Sequence, residues 1–206
     1  MNSDDRSRPP TSPSEDPRIV RAQSGDQEAF GELMREHYDY VFRLVHAIVR
    51  REHDARDVCQ EVWVSAWKKL PTFRGRAKFT TWLHPIAVRR AIDAVRKQRR
   101  WFDRFLPFLE RSDGERAQER DIGVLFEPVA AEPDPAAEAE RDDRRERFER
   151  ALAALPPKHR AVLALREVEG LSYDEIARAV NCRPGTVMSR LFHARRMLVR
   201  QLGDHS

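Results

Sequence analysis

Residues 171–198 read LSYDEIARAVNCRPGTVMSRLFHARRML, and this stretch decides how the C-terminal part of the chain folds. Ser172 is followed three residues later by Glu175, which is the spacing of a capping box and predicts that a helix begins at Ser172. Leu171 and Ile176 occupy the positions from which a hydrophobic staple closes over such a cap. The first half of the stretch is therefore a short amphipathic helix with a well-defined start.

A polar turn and a second helix follow. The triplet Asn181-Cys182-Arg183 is too polar to continue the buried face, so it predicts the turn. Pro184 suits the first position of the next helix, where its missing N–H costs nothing. Helical spacing then predicts a set of inward-facing residues, namely Val187, Leu191, Ala194 and Leu198. Together the two elements form a helix-turn-helix.

The outer face of this second helix is polar and basic, and it carries no acidic residue. Hydrogen-bond donors beside an aromatic ring suit base edges and phosphates in the major groove of DNA. The candidate DNA-contacting residues are Arg183, Pro184, Gly185, Thr186, Ser189, Arg190, Phe192, His193, Arg195 and Arg196. An ordinary helical hairpin with a solvated basic face is the alternative interpretation. The coincidence of cap, staple, turn, proline and basic face favours DNA binding.

The composition limits the number of domains and the cellular compartment that we expect for this protein. A chain of 206 residues with 35% charged side chains is long enough for one large or two small domains with small cores. The two cysteines, Cys59 and Cys182, do not form a disulfide framework and fit a reducing compartment. We find no signal peptide and no segment apolar enough to enter a membrane. We therefore expect a cytoplasmic protein.

A second basic region lies upstream of the helix-turn-helix. Between residues 74 and 104 the only acids are Asp93 and Asp103. The basic residues of this region are Arg74, Arg76, Lys78, Arg89, Arg90, Arg96, Lys97, Arg99, Arg100 and Arg104. Such a cluster is an electrostatic footprint for a polyanion.

The organisation predicted along the chain is all-α, with two small helical domains joined by a flexible acidic linker. Residues 1–17 are predicted to be a disordered tail, rich in Pro, Ser, Asp and Arg. Residues 18–104 form the first helical domain. Residues 105–141 are the linker, because Glu, Asp, Pro and Ala dominate its second half. Residues 142–203 form the second domain, which contains the helix-turn-helix.

Three longer helical patterns are predicted in the first domain. One runs from Asp26 to about Arg51. The next starts at Asp54 as N-cap and ends before Pro71. The last is capped by Thr80 or Thr81 and continues to about Arg100. In the second domain, Phe148, Leu152 and Leu155 are predicted to form one short apolar face.

Two blocks of this sequence resemble an extracytoplasmic-function sigma factor, the compact two-domain branch of the bacterial sigma-factor family. The first block, residues 54–100, reads DARDVCQEVWVSAWKKLPTFRGRAKFTTWLHPIAVRRAIDAVRKQRR and is similar to the family's second domain. The other, residues 154–198, reads ALPPKHRAVLALREVEGLSYDEIARAVNCRPGTVMSRLFHARRML and is similar to the family's fourth domain. Overall the resemblance covers about residues 27–100 and 147–202.

This resemblance implies a function. A sigma factor binds bacterial core RNA polymerase and directs promoter-specific transcription initiation, here in a stress- or signal-responsive regulon. The implied partners are core polymerase, double- and single-stranded promoter DNA and an anti-sigma factor that wedges between the two domains. The chain itself would do no covalent chemistry, so it is not an enzyme, and no cofactor or metal is expected.

The resemblance also assigns residues in the first domain. Asp54, Asp57, Gln60 and Glu61 match the surface that docks on core polymerase. A solvated helix start, with Asp54 as its cap, is the alternative for these four residues. The family usually has an acid at the position of Arg56.

The residues that match the minus-10 reading and melting element are Arg74, Gly75, Arg76, Lys78, Phe79, Trp82, Arg89, Arg90, Arg96 and Arg100. Melting needs a platform for an unstacked base and cations for the separated strand. Phe79 and Trp82 are either that platform or, as the more frequent role of such aromatics, part of the core. Many relatives have asparagine at Arg89, which indicates a different base preference here.

In the second domain, the groove-facing residues named above match the minus-35 reading element. Met188 and His193 stand where basic residues are frequent in the family, which predicts weaker phosphate contact.

Two other classes of function remain open on sequence grounds. A stand-alone helix-turn-helix regulator would explain the C-terminal stretch but leaves the upstream basic region without a role. A metal enzyme would use His53-Asp54, yet no second ligand pair stands out. Cys182 and His193 could be two ligands of a zinc ion, but no further ligands lie at a suitable spacing in the sequence.

Overall fold

The computed structural model describes the backbone of residues 16–109 and 135–203 and the side chains of residues 16–101 and 141–203. Within these ranges the chain is helical and contains no β-strand, so the predicted all-α class is confirmed. The helices are α1 (Pro17–Gln23), α2 (Gln27–Val49), α3 (Glu52–Lys69), α4 (Phe79–Leu109), α5 (Pro135–Ala154), α6 (Pro157–Glu167), α7 (Tyr173–Ala179) and α8 (Pro184–Gly203), with a 3₁₀ turn at Leu70–Thr72. We call residues 16–109 unit one and residues 135–203 unit two.

Both ends of the predicted linker contain helix. α4 continues to Leu109 and α5 begins at Pro135, so both ends of the 105–141 segment are helical. The stretch that we read as acidic linker is also rich in Ala, Glu and Arg, which are strong helix formers, and this propensity outweighs its charge. Residues 110–134 lie outside the described part of the chain.

The start of the chain also differs from the prediction of a disordered tail over residues 1–17. Of the predicted disordered tail, residues 1–15 lie outside the described residues. Pro17 already belongs to α1, because Asp16 caps that helix by accepting a hydrogen bond from the Arg18 amide at 2.9 Å. Ile19 and Ala22 on α1 are buried against the rest of unit one.

Asp26 is the N-cap of α2, since its carboxylate accepts hydrogen bonds from the amides of Glu28 and Ala29 at 3.0 Å. The prediction that Asp54 caps the next helix is wrong. Arg50 has a left-handed backbone with φ of 73°, which reverses the chain and lets α3 begin at Glu52. Asp54 instead lies in the first turn of α3, where its negative charge is favourable to the helix dipole.

α4 begins earlier than predicted, at Phe79 and not at a cap on Thr80 or Thr81. The Phe79 ring is buried in the core, and the amide of Trp82 already donates to the carbonyl of Lys78 at 3.1 Å. Burial of this ring fixes the helix start more strongly than a threonine cap would.

Unit two is built around α8. Ala151 and Leu155, from α5 and its end, pack against Ala194 and Leu198 on α8. Phe148 is 41% exposed, so the predicted apolar face that included it is wrong at that position. α5 presents its small alanine to α8, which brings the two helices close together.

The two units contact each other. α2 and α4 of unit one pack against α6 and α7 of unit two, and buried residues of both belong to one continuous hydrophobic core. α6 makes this possible because its side chains are buried on several sides, including Ala161, Val162 and Leu165. The sequence predicted two separate domains, and it did not predict this contact.

Candidate nucleic-acid interface

The predicted helix-turn-helix has the expected local geometry. Ser172 caps α7: its hydroxyl accepts a hydrogen bond from the Glu175 amide at 3.4 Å, and its own amide donates to the Glu175 carboxylate at 2.9 Å. This confirms the capping box. The side-chain and backbone hydrogen bonds from Ser172 hold the pKa of Glu175 below its usual value.

The turn between the two helices is equally well defined. Asn181 adopts a left-handed backbone with φ of 50°, a conformation that asparagine tolerates better than most residues. The amide of Cys182 then donates to the carbonyl of Ala177 at 2.9 Å, which closes the end of α7. Pro184 is the first residue of α8, as predicted. These bonds fix the angle at which α8 leaves α7.

α8 has a buried and an exposed face. All four residues predicted to point inward, Val187, Leu191, Ala194 and Leu198, are buried. The predicted DNA-contacting residues on the other face fall into two groups. Those that are exposed are Arg183, Pro184, Gly185, Ser189, Phe192, His193, Arg195 and Arg196, whereas Thr186 and Arg190 are half-buried.

Two arginines of this face have partners inside unit two. The Arg195 guanidinium forms an ion pair with Glu167 of α6 at 2.6 Å, and this hydrogen bond raises the pKa of Arg195. Arg190 lies with its guanidinium 3.9 Å from the Cys182 sulfur. Both contacts orient a cation at the edge of the exposed face.

An apolar stripe accompanies these cations. Met188, Phe192 and Val199 are 55%, 62% and 71% exposed, and they line a shallow groove with Tyr173. Phe192 also contacts the His193 ring edge-on, with ring centroids 5.5 Å apart. The face therefore offers hydrogen-bond donors and apolar surface side by side, as base edges and thymine methyl groups require.

The acidic face of α3 is the second predicted site. Asp57, Gln60 and Glu61 are exposed along one side of the helix, and Asp54 is half-buried because it accepts a hydrogen bond from the Gln98 amide at 3.1 Å. Glu61 lies 3.7 Å from Arg90 of α4. The four residues thus share one side of α3 that adjoins α4.

Arg56, where an acid was expected, is paired within its own helix. Its guanidinium hydrogen-bonds to Glu52 and lies over the Phe42 ring, 5.8 Å from the centroid. Because Glu52 compensates its charge, Arg56 leaves the acidic character of the neighbouring surface intact.

The third predicted site is the loop between the 3₁₀ turn and α4. Phe73 and Phe79 are buried, with ring centroids 5.9 Å apart in an edge-on arrangement. The side-chain amide of Gln23 anchors the loop by donating to the carbonyls of Leu70 and Phe73 at 3.1 and 2.7 Å. Gly75 has φ of 64°, which few other residues adopt.

The charged residues of this loop point outward. Arg74, Arg76 and Lys78 are exposed, while the Trp82 ring is half-buried with one side on Phe73. Phe79 belongs to the core, so its ring is not accessible for stacking on a base. Of the two aromatic residues predicted for this site, only Trp82 has a solvent-exposed part of its ring next to the loop.

α4 carries the remaining basic residues. Arg89, Arg90, Arg96 and Arg100 are exposed, together with Lys97 and Arg99. Arg89 lies 3.9 Å from Asp93, four residues further along the helix. The loop and residues 89–100 of α4 both carry exposed basic side chains.

Several polar residues at the contact between the units escaped the sequence analysis. They are Tyr40, Arg50, His84, Glu149, Arg160, Glu169 and Arg178. Burial lowers the pKa of Arg50 to about 10 and also lowers the pKa of Arg160 to about 10, with the Arg50 charge adding to the latter. No local pattern marks these residues, because each lies on a helix whose partner is distant in sequence.

No other chemistry is evident in the described part of the chain. Cys59 and Cys182 are free thiols, and burial raises the pKa of Cys59 to about 12. Among the described residues no group of histidine, cysteine and acidic side chains could hold a metal ion. The described helices include none that is long and apolar enough to cross a membrane.

A DNA-reading helix-turn-helix beside a basic loop and an acidic helix face is the architecture of a bacterial transcription initiation factor. Family models match this chain in two places, sigma-70 region 2 over residues 33–101 and sigma-70 region 4 over residues 145–198. The chain belongs to the extracytoplasmic-function sigma factors of RNA polymerase. It is therefore an initiation factor and not an enzyme: it binds core polymerase and directs promoter-specific transcription.

Relatives match over nearly the whole chain. It is 34% identical to the ECF RNA polymerase sigma-E factor of Haemophilus influenzae over 180 residues, 87% of this chain and 90% of the relative. It is also 34% identical to the sigma-E factor of Escherichia coli K12 over 86% of this chain and 88% of the relative. SigW of Bacillus subtilis is 29% identical over 91% of this chain and 96% of the relative.

Solved structures share the fold. CnrH in complex with the cytosolic domain of CnrY has a TM-score of 0.59 at 24% identity and covers 92% of this chain and 97% of CnrH. The sigma factor RpoE of Bartonella quintana, in complex with the anti-sigma factor NepR, has a TM-score of 0.56 at 24% identity, with 84% and 96% covered.

Proposed function

We propose that the two units divide the work of promoter recognition, with unit two reading the minus-35 duplex through α8. The single observation that supports this most directly is the exposed face of α8, basic and free of acids, on a helix whose start is fixed by a cap, a turn and Pro184. Ser189, His193 and Arg196 lie at its centre and are proposed to contact base edges.

The two flanking arginines, Arg190 and Arg195, differ from each other in their proposed roles. Arg195 is held by Glu167, so we assign it a phosphate contact that fixes the register of the helix on the duplex. Arg190 is half-buried, and its guanidinium is held beside the Cys182 sulfur. Such a restrained donor suits a specific base contact.

Unit one is proposed to capture the minus-10 element. Arg74, Arg76 and Lys78 are exposed around Gly75 and would hold the phosphates of the separated strand. Trp82, with its ring half-exposed next to them, is the candidate platform for an unstacked base. Arg89, Arg90, Arg96 and Arg100 on α4 extend this basic surface, and we assign them phosphate contacts without sequence preference.

The acidic side of α3 is proposed to dock on core polymerase. Asp57, Gln60 and Glu61 are exposed acceptors on one helix face, which suits basic residues on a partner. Asp54 is tied to Gln98, so its contribution is to the shape and charge of this face.

We further propose that the protein works in the cytoplasm under an anti-sigma factor. Support for this partner comes from the solved structure of the sigma factor RpoE in complex with the anti-sigma factor NepR, and CnrH likewise was solved in a complex, with the cytosolic domain of CnrY. The expected result in a two-hybrid screen is a partner that needs both units of the chain for full binding. A stress- or signal-responsive regulon would follow from release of that partner.

The proposal is tested by transcription in vitro with purified core enzyme of the host on a genomic DNA pool, followed by mapping of start sites. Initiation should occur at a small set of sites that share two sequence elements. Failure to direct initiation with host core enzyme would contradict the proposal.

The same preparation separates this proposal from a stand-alone regulator. The free chain is expected to bind duplex promoter DNA weakly, and the complex with core polymerase tightly. Tight binding by the free chain as a dimer would instead support the regulator.

A further inference from the structure

A group of buried charged side chains lies where α2, α5 and α6 meet. The guanidinium of Arg50, at the end of α2, bonds to the carboxylate of Glu149 on α5, and the Arg50 side chain is only 6% exposed. Arg160 of α6 is 5% exposed, and within residues 16–101 and 141–203 no acid forms an ion pair with it. Among the described side chains, two buried guanidinium groups are therefore accompanied by one carboxylate.

The two arginines lie close enough to affect each other. Burial lowers the pKa of Arg160 to about 10, and the positive charge of Arg50 contributes to this decrease. Burial also lowers the pKa of Arg50 to about 10. Both groups remain charged at neutral pH, although their surroundings disfavour the charged form. The surplus positive charge therefore stays in the group and favours a compensating anion.

Both arginines also have hydrogen-bond donors that lack an acceptor. The Nε atoms of Arg50 and Arg160 are buried, and no acceptor in the described part of the chain bonds to either of them. A guanidinium presents five N–H donors in a planar fork, and a buried donor without a partner destabilises the fold. A ligand that satisfies these groups must accept several hydrogen bonds and carry negative charge.

The ends of two helices determine which arginine needs the additional charge. Arg50 is the C-cap of α2, where the negative end of the helix dipole favours a cation. Arg160 lies in the first turn of α6, where the positive end of the dipole disfavours one. Pro156, at the cap position of α6, offers no side-chain acceptor, and residues 157–160 include no acid. The positive potential is therefore less well compensated at Arg160 than at Arg50.

A small oxyanion meets these requirements. Phosphate and sulfate carry several acceptor oxygens around one charged centre, and they match the planar fork of a guanidinium in a bidentate arrangement. A water molecule would accept hydrogen bonds but would bring no net charge. The Glu149 side chain is 30% exposed, so the group borders solvent on the α5 side and a small ion has a route to it.

We propose that Arg160 and Arg50 form a binding site for a small oxyanion of the phosphate class where α2, α5 and α6 meet. The ion bonds to Arg160 and to the donors of Arg50 that Glu149 leaves unused. This site is distinct from the proposed DNA contacts, because its two arginines are enclosed and do not belong to the exposed basic faces. The bound ion stabilises the folded chain by mass action.

Thermal unfolding of the full-length chain in increasing inorganic phosphate tests the proposal, with chloride at equal ionic strength as the reference. A ligand that binds only the folded state should raise the Tm of a chain of this size by ~3–5 °C for each tenfold increase in concentration above its Kd. Phosphate and sulfate should both give this rise over chloride. Isothermal titration calorimetry should give one ion per chain.

A substitution of each kind of residue locates the ion. Arg160→Met removes the charge but keeps a long unbranched side chain, and it should abolish the rise in Tm with phosphate. Its control is Arg35→Met, which removes an exposed cation of α2 and should retain the rise. Glu149→Gln removes the acid that competes with the ion, so the Kd for phosphate should fall several-fold. Glu146→Gln, at an exposed position of the same helix, is the control for this change and should leave the Kd unaltered.

A parallel titration with guanosine monophosphate distinguishes the two sources of such a phosphate group. A rise in Tm equal to that in inorganic phosphate would support the terminal phosphate of a nucleotide as the ligand. A rise in inorganic phosphate alone would support the free ion.

Two results would overturn the proposal. One is the same Tm in phosphate as in chloride. The other is a rise that persists unchanged in folded Arg160→Met, which would assign the effect to the exposed basic faces. If circular dichroism shows that Arg160→Met does not fold, an unchanged Kd for phosphate in Glu149→Gln overturns it instead. Promoter-specific transcription is a separate measurement, so failure of this inference leaves the proposed function untouched.

Discussion

At the level of single residues, Ser172 shows how one side chain starts the DNA-reading motif. It satisfies two amides at the start of α7 together with Glu175. Ser172→Ala removes the hydroxyl that accepts from the Glu175 amide, and the loss of such a cap costs about 1 kcal/mol. Urea denaturation of the full chain should show this decrease. Ser189→Ala, on the exposed side of α8, is the control and should change stability by less than about 0.5 kcal/mol.

The same pair predicts a pH dependence. The pKa of Glu175 is lower in the folded state than in the unfolded chain, so the folded state binds this proton less readily. The contribution of the pair is therefore present above the unfolded pKa of about 4.3 and is lost as the pH falls through the folded pKa. The stability difference between wild type and Glu175→Gln should shrink as the pH is lowered through this range. A difference that stays constant in acid would contradict the assignment.

A substitution of Arg190 tests the proposed DNA contact at a single residue. Arg190→Ala should lower promoter-specific transcription roughly 5- to 150-fold, which corresponds to the 1–3 kcal/mol of one bidentate base contact. Association with core polymerase, measured by native electrophoresis, should be unchanged because the substitution leaves the exposed side of α3 intact. Lys158→Ala, an exposed cation on α6, is the control. Equal losses of transcription and of core affinity would refute the role.

At the level of whole elements, the face of α3 predicts a separate function. Asp57→Lys together with Glu61→Lys reverses the charge of the exposed side while the buried side of α3 stays intact. Association with core polymerase should weaken by at least tenfold, since like charges then face the basic partner. Titration of core enzyme with labelled sigma factor measures this. Asp142→Lys together with Glu146→Lys on α5 reverses the same number of exposed charges and is the matched control, and a similar loss there would mean that net charge alone decides.

Local patterns predicted the helix-turn-helix well and the long helices less well. Ser172, Asp26 and Pro184 act within one turn of the chain, so their effects are visible in the sequence. Asp54 also has the pattern of a cap, yet α3 starts two residues before it because of the left-handed turn at Arg50. The Arg50 side chain is buried and paired with Glu149 of unit two, a contact that a local pattern does not contain.

The candidate site was likewise predictable from sequence where local spacing decides the structure, and not where contacts between distant residues decide it. Exposure of the basic and acidic faces was predictable, since amphipathic spacing separates the buried from the solvated positions. The sequence could not decide whether Phe79 and Trp82 belong to the core or form a platform for a base, because both lie at helical spacing in an aromatic cluster with Phe73. The contact between the units joins residues more than a hundred positions apart, such as Tyr40 and Glu169. No pairing of this kind is encoded in short-range periodicity.

At the level of the whole molecule, we expect the length of the segment that connects the two units to limit which promoters can be used. Removal of about ten residues from 110–134 shortens the extended length by roughly 34 Å. Transcription from promoters of the normal spacing should then fall, and promoters with closer elements should be affected less. Start-site mapping on a library of spacer lengths measures this. A replacement of the same ten residues by Gly and Ser keeps the length and is the control.

One feature of unit one has a consequence for how such promoters evolve. α4 is continuous from Phe79 to Leu109, a rod of about 46 Å at 1.5 Å per residue. The end of α4 is therefore held at a constant distance from the loop that we propose to capture a base. Substitutions along the solvent-facing side of this rod can change affinity for the DNA strand without altering the tolerated spacing. Changes of length in residues 110–134 do the reverse, so a lineage can adjust promoter strength and promoter geometry independently.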